Sequence, residues 1–183
     1  ITIGITFISG KLLKTFKYDS SGLQYRDGFV LVTLGWILVS IYGAIPFILA
    51  GIFNNPVDAF FESVSGFTTT GATIISSLES LSHTILFWRS LTHWLGGMGI
   101  IVMTIAVLPQ LAGNMHLYKA EVPGPVHNRI KPRIQETAKT LWFIYMILTI
   151  SEIIILWLNN VPLFESIIHS FGTISTGGFS SRG

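Results

Sequence analysis

The sequence predicts an all-α membrane protein built from repeated helix–loop–helix units whose loops dip into the bilayer and return. Three observations carry this prediction. Half of the 183 residues are hydrophobic and 11% are charged, whereas soluble domains carry about a quarter charged residues. Long uncharged runs alternate with polar segments that hold nearly all the charge. Two segments 106 positions apart also read as copies of one unusual loop, Pro56 to Ala72 (PVDAFFESVSGFTTTGA) and Pro162 to Gly178 (PLFESIIHSFGTISTGG). In that ungapped register Pro56 falls on Pro162, Gly66 on Gly172, Thr70 on Thr176 and Gly71 on Gly177.

Residues 1–27 read as the end of a preceding helix plus a cytoplasmic linker, so the chain looks like a piece of a longer polypeptide. Residues 28–108 form the first helix–pore loop–helix unit. Positions 28–53 carry no charge, and about 20 apolar residues suffice to cross the hydrocarbon core. Gly35, Gly43 and Pro46 would weaken a soluble helix, but neighbouring helices compensate in a membrane. Asn54-Asn55-Pro56 breaks the run, and Val57 to about Phe67 reads as a short helix entering the first loop. A second span is expected from about Thr84 to Leu108. Its Gly96-Gly97-Met98-Gly99 stretch lets another backbone approach closely, or serves as a bend.

Residues 109–139 read as a polar connector in which Pro109, Pro123, Pro125 and Pro132 exclude one continuous helix. Residues 140–183 hold the third span, about Thr140 to Leu158, and the second loop. The chain therefore carries about one and a half units.

Lysine and arginine set the orientation. Nine of the eleven basic residues precede the first span or lie in the connector, which assigns both regions to the cytoplasm. Asp58, Glu62, Glu79 and Glu165 fall on the opposite side with the loops. Both loops are then expected to enter from outside, where an approaching cation meets acidic groups.

The loops suggest a chemistry. A dehydrated monovalent cation needs several oxygen ligands, and extended backbone around glycine can aim successive carbonyls at one axis. Thr68, Thr69, Thr70, Gly71 and Ala72 supply the first set; Ile174, Ser175, Thr176, Gly177 and Gly178 supply the second. Two Ser/Thr/Gly turns between helices would explain either loop alone, but not a matched pair on one face. The only metal expected is the cation at these loops. Glu165 and His169 share a helix face, but two ligands do not make a metal site.

Charged groups inside a span are functional suspects. Arg89 and Glu152 sit at similar expected depths in their spans, so Arg89 pairs either with Glu152 or with a loop-helix carboxylate such as Glu62. A direct role in tuning ion occupancy is the other reading. Arg129, Lys131 and Arg133 in the connector either help to dock a partner or anionic lipid, or only enforce orientation.

Other classes are excluded. The chain has no cysteine and a formal net charge of +2. Disulfides and thiolate chemistry are therefore absent, and no basic stripe suggests nucleic acid. No Ser/His/Asp grouping, Walker loop or dinucleotide fingerprint is present, so no enzyme and no cofactor are expected.

These residues also resemble a family. Thr68-Thr69-Thr70-Gly71-Ala72-Thr73, the stretch from Phe87 to Gly99 and the connector from Lys119 to Pro125 are similar to the Trk/Ktr/HKT superfamily of potassium transporters. Lys131-Pro132-Arg133-Ile134 with Glu136-Thr137-Ala138-Lys139 looks most like its bacterial Trk branch. The resemblance implies four pseudo-repeated units around one pore, multi-pass residence in the cytoplasmic membrane, and K+ as the transported ion. It also implies a homodimer and cytosolic nucleotide-binding regulatory subunits as partners. It places the intramembrane gate in a third unit, after Gly183, so these residues alone should not seal a pore. Glycine at Gly71 and Gly177 fits the potassium-selective pattern. Three alternatives stand beside this: a sodium- and potassium-permeable relative, a non-conducting membrane scaffold, and a conventional tetrameric channel subunit, which usually carries one loop rather than two.

Overall fold

The computed structural model describes residues 25–111 and 130–181, with the isolated positions Gly4, Thr6, Gly10 and Lys11. Among these residues the secondary structure is helical, without strands. The helices are α1 (Tyr25–Leu49), α2 (Pro56–Phe67), α3 (His83–Leu111), α4 (Ile130–Leu158) and α5 (Leu163–Ile174).

Length separates them into two kinds. At 1.5 Å rise per residue, the 25 to 29 residues of α1, α3 and α4 extend about 37–44 Å, enough to cross a hydrocarbon core of about 30 Å. The 12 residues of α2 and of α5 reach only about 18 Å. Two windows among the described residues are apolar enough to span, Val32–Leu49 and Glu136–Leu158, with hydropathies of 2.0 and 2.2. Their outward faces bear exposed Leu34, Ile41, Phe143, Ile147 and Ile155. Such faces would be untenable in water and are normal against lipid.

The short helices start where local chemistry dictates. Asn55 caps α2 by accepting from the Val57 amide at 3.0 Å, and Pro56 occupies the first turn, where a missing N–H costs nothing. Asp58 and Glu165 lie in the first turns of α2 and α5, which suits the positive end of each helix dipole.

Two expected boundaries move. Helix α3 runs through Pro109 to Leu111, and α4 begins at Ile130 rather than about Thr140. Pro132 is the third residue of α4, within the turn that needs no intrahelical N–H bond, so it does not delay the helix. Lys131 and Arg133 thus belong to a part of the helix that extends beyond its apolar window.

Packing wraps each short helix in long ones. Ala44 and Phe47 of α1, Ala59 of α2 and Ile85 of α3 form a buried cluster flanked by Phe53 and Trp88. Gly43 leaves room on α1 for Ser63 and the Phe67 ring. Ser63 also donates to the Ser40 carbonyl at 2.7 Å, and Trp88 Nε1 donates to the Gly43 carbonyl at 3.0 Å. The second unit is joined to α3 through Trp94, whose indole donates to Thr149 Oγ1 at 3.1 Å. Tyr145 in turn donates to the Trp94 carbonyl at 3.0 Å.

Candidate ion-binding site between two re-entrant loops

Each short helix ends in the same unwinding. After α2, the amide of Thr69 bonds the Gly66 carbonyl and that of Thr70 bonds the Ser65 carbonyl, at 3.1 and 3.0 Å. After α5, Thr176 bonds Thr173 and Gly177 bonds Gly172, both at 2.9 Å. Hydroxyls repeat the match: Thr68 Oγ1 donates to the Val64 carbonyl at 2.8 Å, and Ser175 Oγ donates to that of Phe171 at 2.6 Å.

These pairs correct the register read from sequence. They are 107 positions apart, not 106. Left-handed backbone agrees, with φ of 56° at Thr69 and 57° at Thr176, then 77° at Gly71 and 96° at Gly178. Gly71 is therefore the structural counterpart of Gly178, and Thr70 that of Gly177. Ile174 closes α5 in the position Phe67 holds, and Phe179 is the counterpart of Ala72.

The correction separates two glycines that the sequence leaves adjacent. Gly178 is needed for its positive φ, with open space where a side chain would go. Gly177 is needed for close approach, because a Cβ there would overlap the His93 ring. The loops also meet directly: a Cβ on Gly71 would overlap the Gly177 carbonyl oxygen. Thr70, Ala72, Thr176 and Gly178 remain exposed beside this contact.

Helix α3 supports both loops from behind. Its Gly96 faces the Phe67 carbonyl, and its Gly97 faces Ser175. The glycine stretch is thus a seat for backbone inside an unbroken helix. Arg89 and His93, one turn apart, reach further. Arg89 Nε lies 2.7 Å from Glu62 Oε1, with the two side chains 2% and 0% exposed. The guanidinium also donates to the Ser180 carbonyl at 3.0 Å and lies 3.7 Å over the Phe179 ring. Glu62 holds the returning segment of the first loop: Thr73 Oγ1 donates to it at 2.9 Å and the Ile74 amide at 3.3 Å. Its counterpart His169 lies 3.4 Å from Ser181 Oγ.

The expected residues divide accordingly. Thr68 to Ala72 and Ser175 to Gly178 come together, and Arg89 pairs with Glu62. Glu152 is half-buried on α4 and takes no part in that pair. Arg129 lies outside the described residues. Lys131 and Arg133 belong to the first turns of α4, and their side chains lie outside the description. His93 and Phe179 were missed. The spacing of Arg89 and His93 on one face of an apolar span is a signal for His93; nothing marked Phe179.

Comparison with known proteins agrees with this architecture. A family model described as "Cation transport protein", TrkH, matches residues 1–183. The Trk system potassium uptake protein TrkH of Salmonella typhimurium is 52% identical over 169 residues, covering 91% of this chain and 35% of the relative. The TrkH of Halomonas elongata is 42% identical over 186 residues, covering all of this chain and 39% of that protein. The crystal structure of the potassium transporter TrkH from Vibrio parahaemolyticus superposes with a TM-score of 0.78 at 41% identity. It covers 96% of this chain and 35% of that one. The chain thus spans little more than a third of the length of these relatives. With paired re-entrant loops, spanning helices and a family match over every residue, the chain belongs to the TrkH family of cation transport proteins.

Proposed function

We propose that this chain supplies two of the filter loops of a potassium-uptake transporter of the cytoplasmic membrane. The observation that carries the reading is the repeated left-handed turn, Thr69 with Gly71 and Thr176 with Gly178, at loops that touch through Gly71 and Gly177. Alternating φ turns successive carbonyls toward one side, where neutral oxygens can replace the water of a bare cation. Both short helices also end at these loops. Their negative dipole ends therefore face the proposed ion position and favour a cation there. Potassium is inferred from the relatives named above.

The proposed roles follow this geometry. Carbonyls of Thr68 to Ala72 and of Ser175 to Phe179 would face the ion, with Thr70 and Thr176 hydroxyls at hand. Arg89 and Glu62 keep the loop backbone in place without touching the ion. The remaining loops would come from the rest of the full-length protein. A homodimer and a cytosolic nucleotide-binding regulatory subunit fit the resemblance, and Arg129, Lys131 and Arg133 are proposed docking residues because the charge pattern of the sequence assigns them to the cytoplasmic side. The competing reading within the family is permeation by both sodium and potassium.

The deciding experiment uses the full-length protein in potassium-uptake-deficient cells. Gly71→Ser and Gly178→Ser should each reduce growth at low potassium and lower potassium-over-sodium discrimination. Wild-type growth and discrimination in both variants would remove these loops from the filter. Equal sodium and potassium uptake in the unmodified protein would favour the dual-permeation reading.

A further inference from the structure

We propose that His93 is a positioning residue that sets the distance between the two loops. It anchors the end of the first re-entrant helix while bracing the backbone of the second loop. The inference rests on the reading of the loops as ion ligands, and adds the device that holds them in mutual register.

The imidazole touches both loops and no solvent. His93 is 0% exposed. Its Nδ1 lies 2.8 Å from the Gly66 carbonyl, one residue before the end of α2. A carbonyl only accepts, so this contact assigns the proton to Nδ1. On its other edge the ring presses on Gly177, where a Cβ would overlap Cδ2 and Nε2. Nε2 is buried against the Gly177 backbone. This edge therefore braces the second loop by direct contact.

Phe179 completes the clamp. Its ring stacks on His93 with centroids 3.9 Å apart and planes 8° from parallel. The Arg89 guanidinium lies 3.7 Å from the same centroid. Two groups so close to one ring centre cannot share a face, so Phe179 is held between Arg89 and His93. Both belong to α3, four residues apart, where helical side chains project from one side. Arg89 bonds Glu62 of the first loop's helix, just as His93 bonds Gly66. Each residue therefore bonds the first loop's helix and lays its flat face on Phe179 of the second loop, and Arg89 adds a hydrogen bond to the Ser180 carbonyl. A displacement of either loop is passed to the other through a buried aromatic stack, and packed interiors transmit such displacements. Carbonyls that must match one ion from two directions are sensitive to this spacing.

The test is made in the full-length protein in potassium-uptake-deficient cells. His93→Ala is expected to raise the apparent KM for potassium and to lower potassium-over-sodium discrimination, each about fivefold, the weight of one lost hydrogen bond. Membrane abundance should stay at the wild-type level. His93→Asn keeps a donor toward Gly66 without the ring, and His93→Phe keeps the ring without the donor, so each should recover part of both losses. Combining His93→Ala with Phe179→Leu should cost little more than His93→Ala alone, because the two act through one stack. Unchanged KM and discrimination in His93→Ala at normal abundance would overturn the inference. If His93→Ala does not accumulate, wild-type KM and discrimination in both His93→Asn and His93→Phe would overturn it equally. Gly71→Ser, run in parallel, separates the two ideas. A shift there with none in His93→Ala removes only the clamp, whereas no shift in either removes the filter reading itself.

Discussion

Arg89 and Glu62 form a buried ion pair at 2.7 Å, and each partner continues into a different loop. Glu62 accepts from Thr73 and Ile74, which return from the first loop. Arg89 donates to the Ser180 carbonyl beyond the second. The pair is therefore the hinge pin between two units that are far apart in sequence.

Removing one partner should be worse than removing both. Glu62→Gln or Arg89→Gln alone leaves a buried charge unpaired, which costs about 3–5 kcal/mol. The double variant Glu62→Gln/Arg89→Gln should lose less than the sum of the singles. Thermal melting of the purified full-length protein, with membrane abundance by immunoblot, measures this. Additive losses would mean that the two side chains stabilise the loops independently.

The two glycines of the second loop should fail in different ways. Gly178→Ala meets no neighbour but must hold φ at 96°, a strained conformation costing about 1–3 kcal/mol. Gly177→Ala collides with the His93 ring. The second defect should be partly relieved by His93→Ala, and the first should not. Potassium uptake by the four single and double variants makes the comparison. Equal relief of both would collapse the distinction between them.

Seating of the loops on α3 should be intolerant of a single methyl. A Cβ on Gly96 overlaps the Phe67 carbonyl, which is backbone and cannot swing away. Gly96→Ala is expected to destabilise the protein by about 1–3 kcal/mol, as overpacking does. Gly35→Ala, on α1 with nothing within 4 Å, should be neutral or slightly stabilising. The two melting temperatures, compared side by side, check this.

Orientation follows from the basic residues. With no native cysteine, single cysteines at positions 14 and 129 should resist an impermeant thiol reagent added to intact cells. One at position 79 should react. Outside labelling of position 129 would invert the topology. Replacing Arg129, Lys131 and Arg133 together by Gln then tests docking. Lost binding of the proposed regulatory subunit with normal topology supports a docking role; retained binding with disturbed topology leaves only orientation.

Several features were legible in the order of residues alone. Span, break and short helix follow from uncharged run, Asn-Asn-Pro and apolar dozen, because helix length and backbone satisfaction in lipid are local constraints. The loop repeat was also visible, since matching turns need matching Thr and Gly. The choice of Gly177 over Gly178 was not, because adjacent glycines look alike until φ and neighbours are known. Likewise the start of α4 was misplaced by reading Pro132 as a breaker, when a first-turn proline breaks nothing. Arg89 announced itself as a charge within a span, but Glu152 matched its expected depth and a loop-helix carboxylate such as Glu62 was the other candidate. Only packing chose Glu62 over Glu152, by bringing α2 against α3. His93 and Phe179 lie 86 positions apart, and their stacking exists only because both loops fold back on one helix. What local chemistry governs, the sequence determined by itself. Which distant groups meet was decided by the tertiary structure, since contact across helices depends on how they pack.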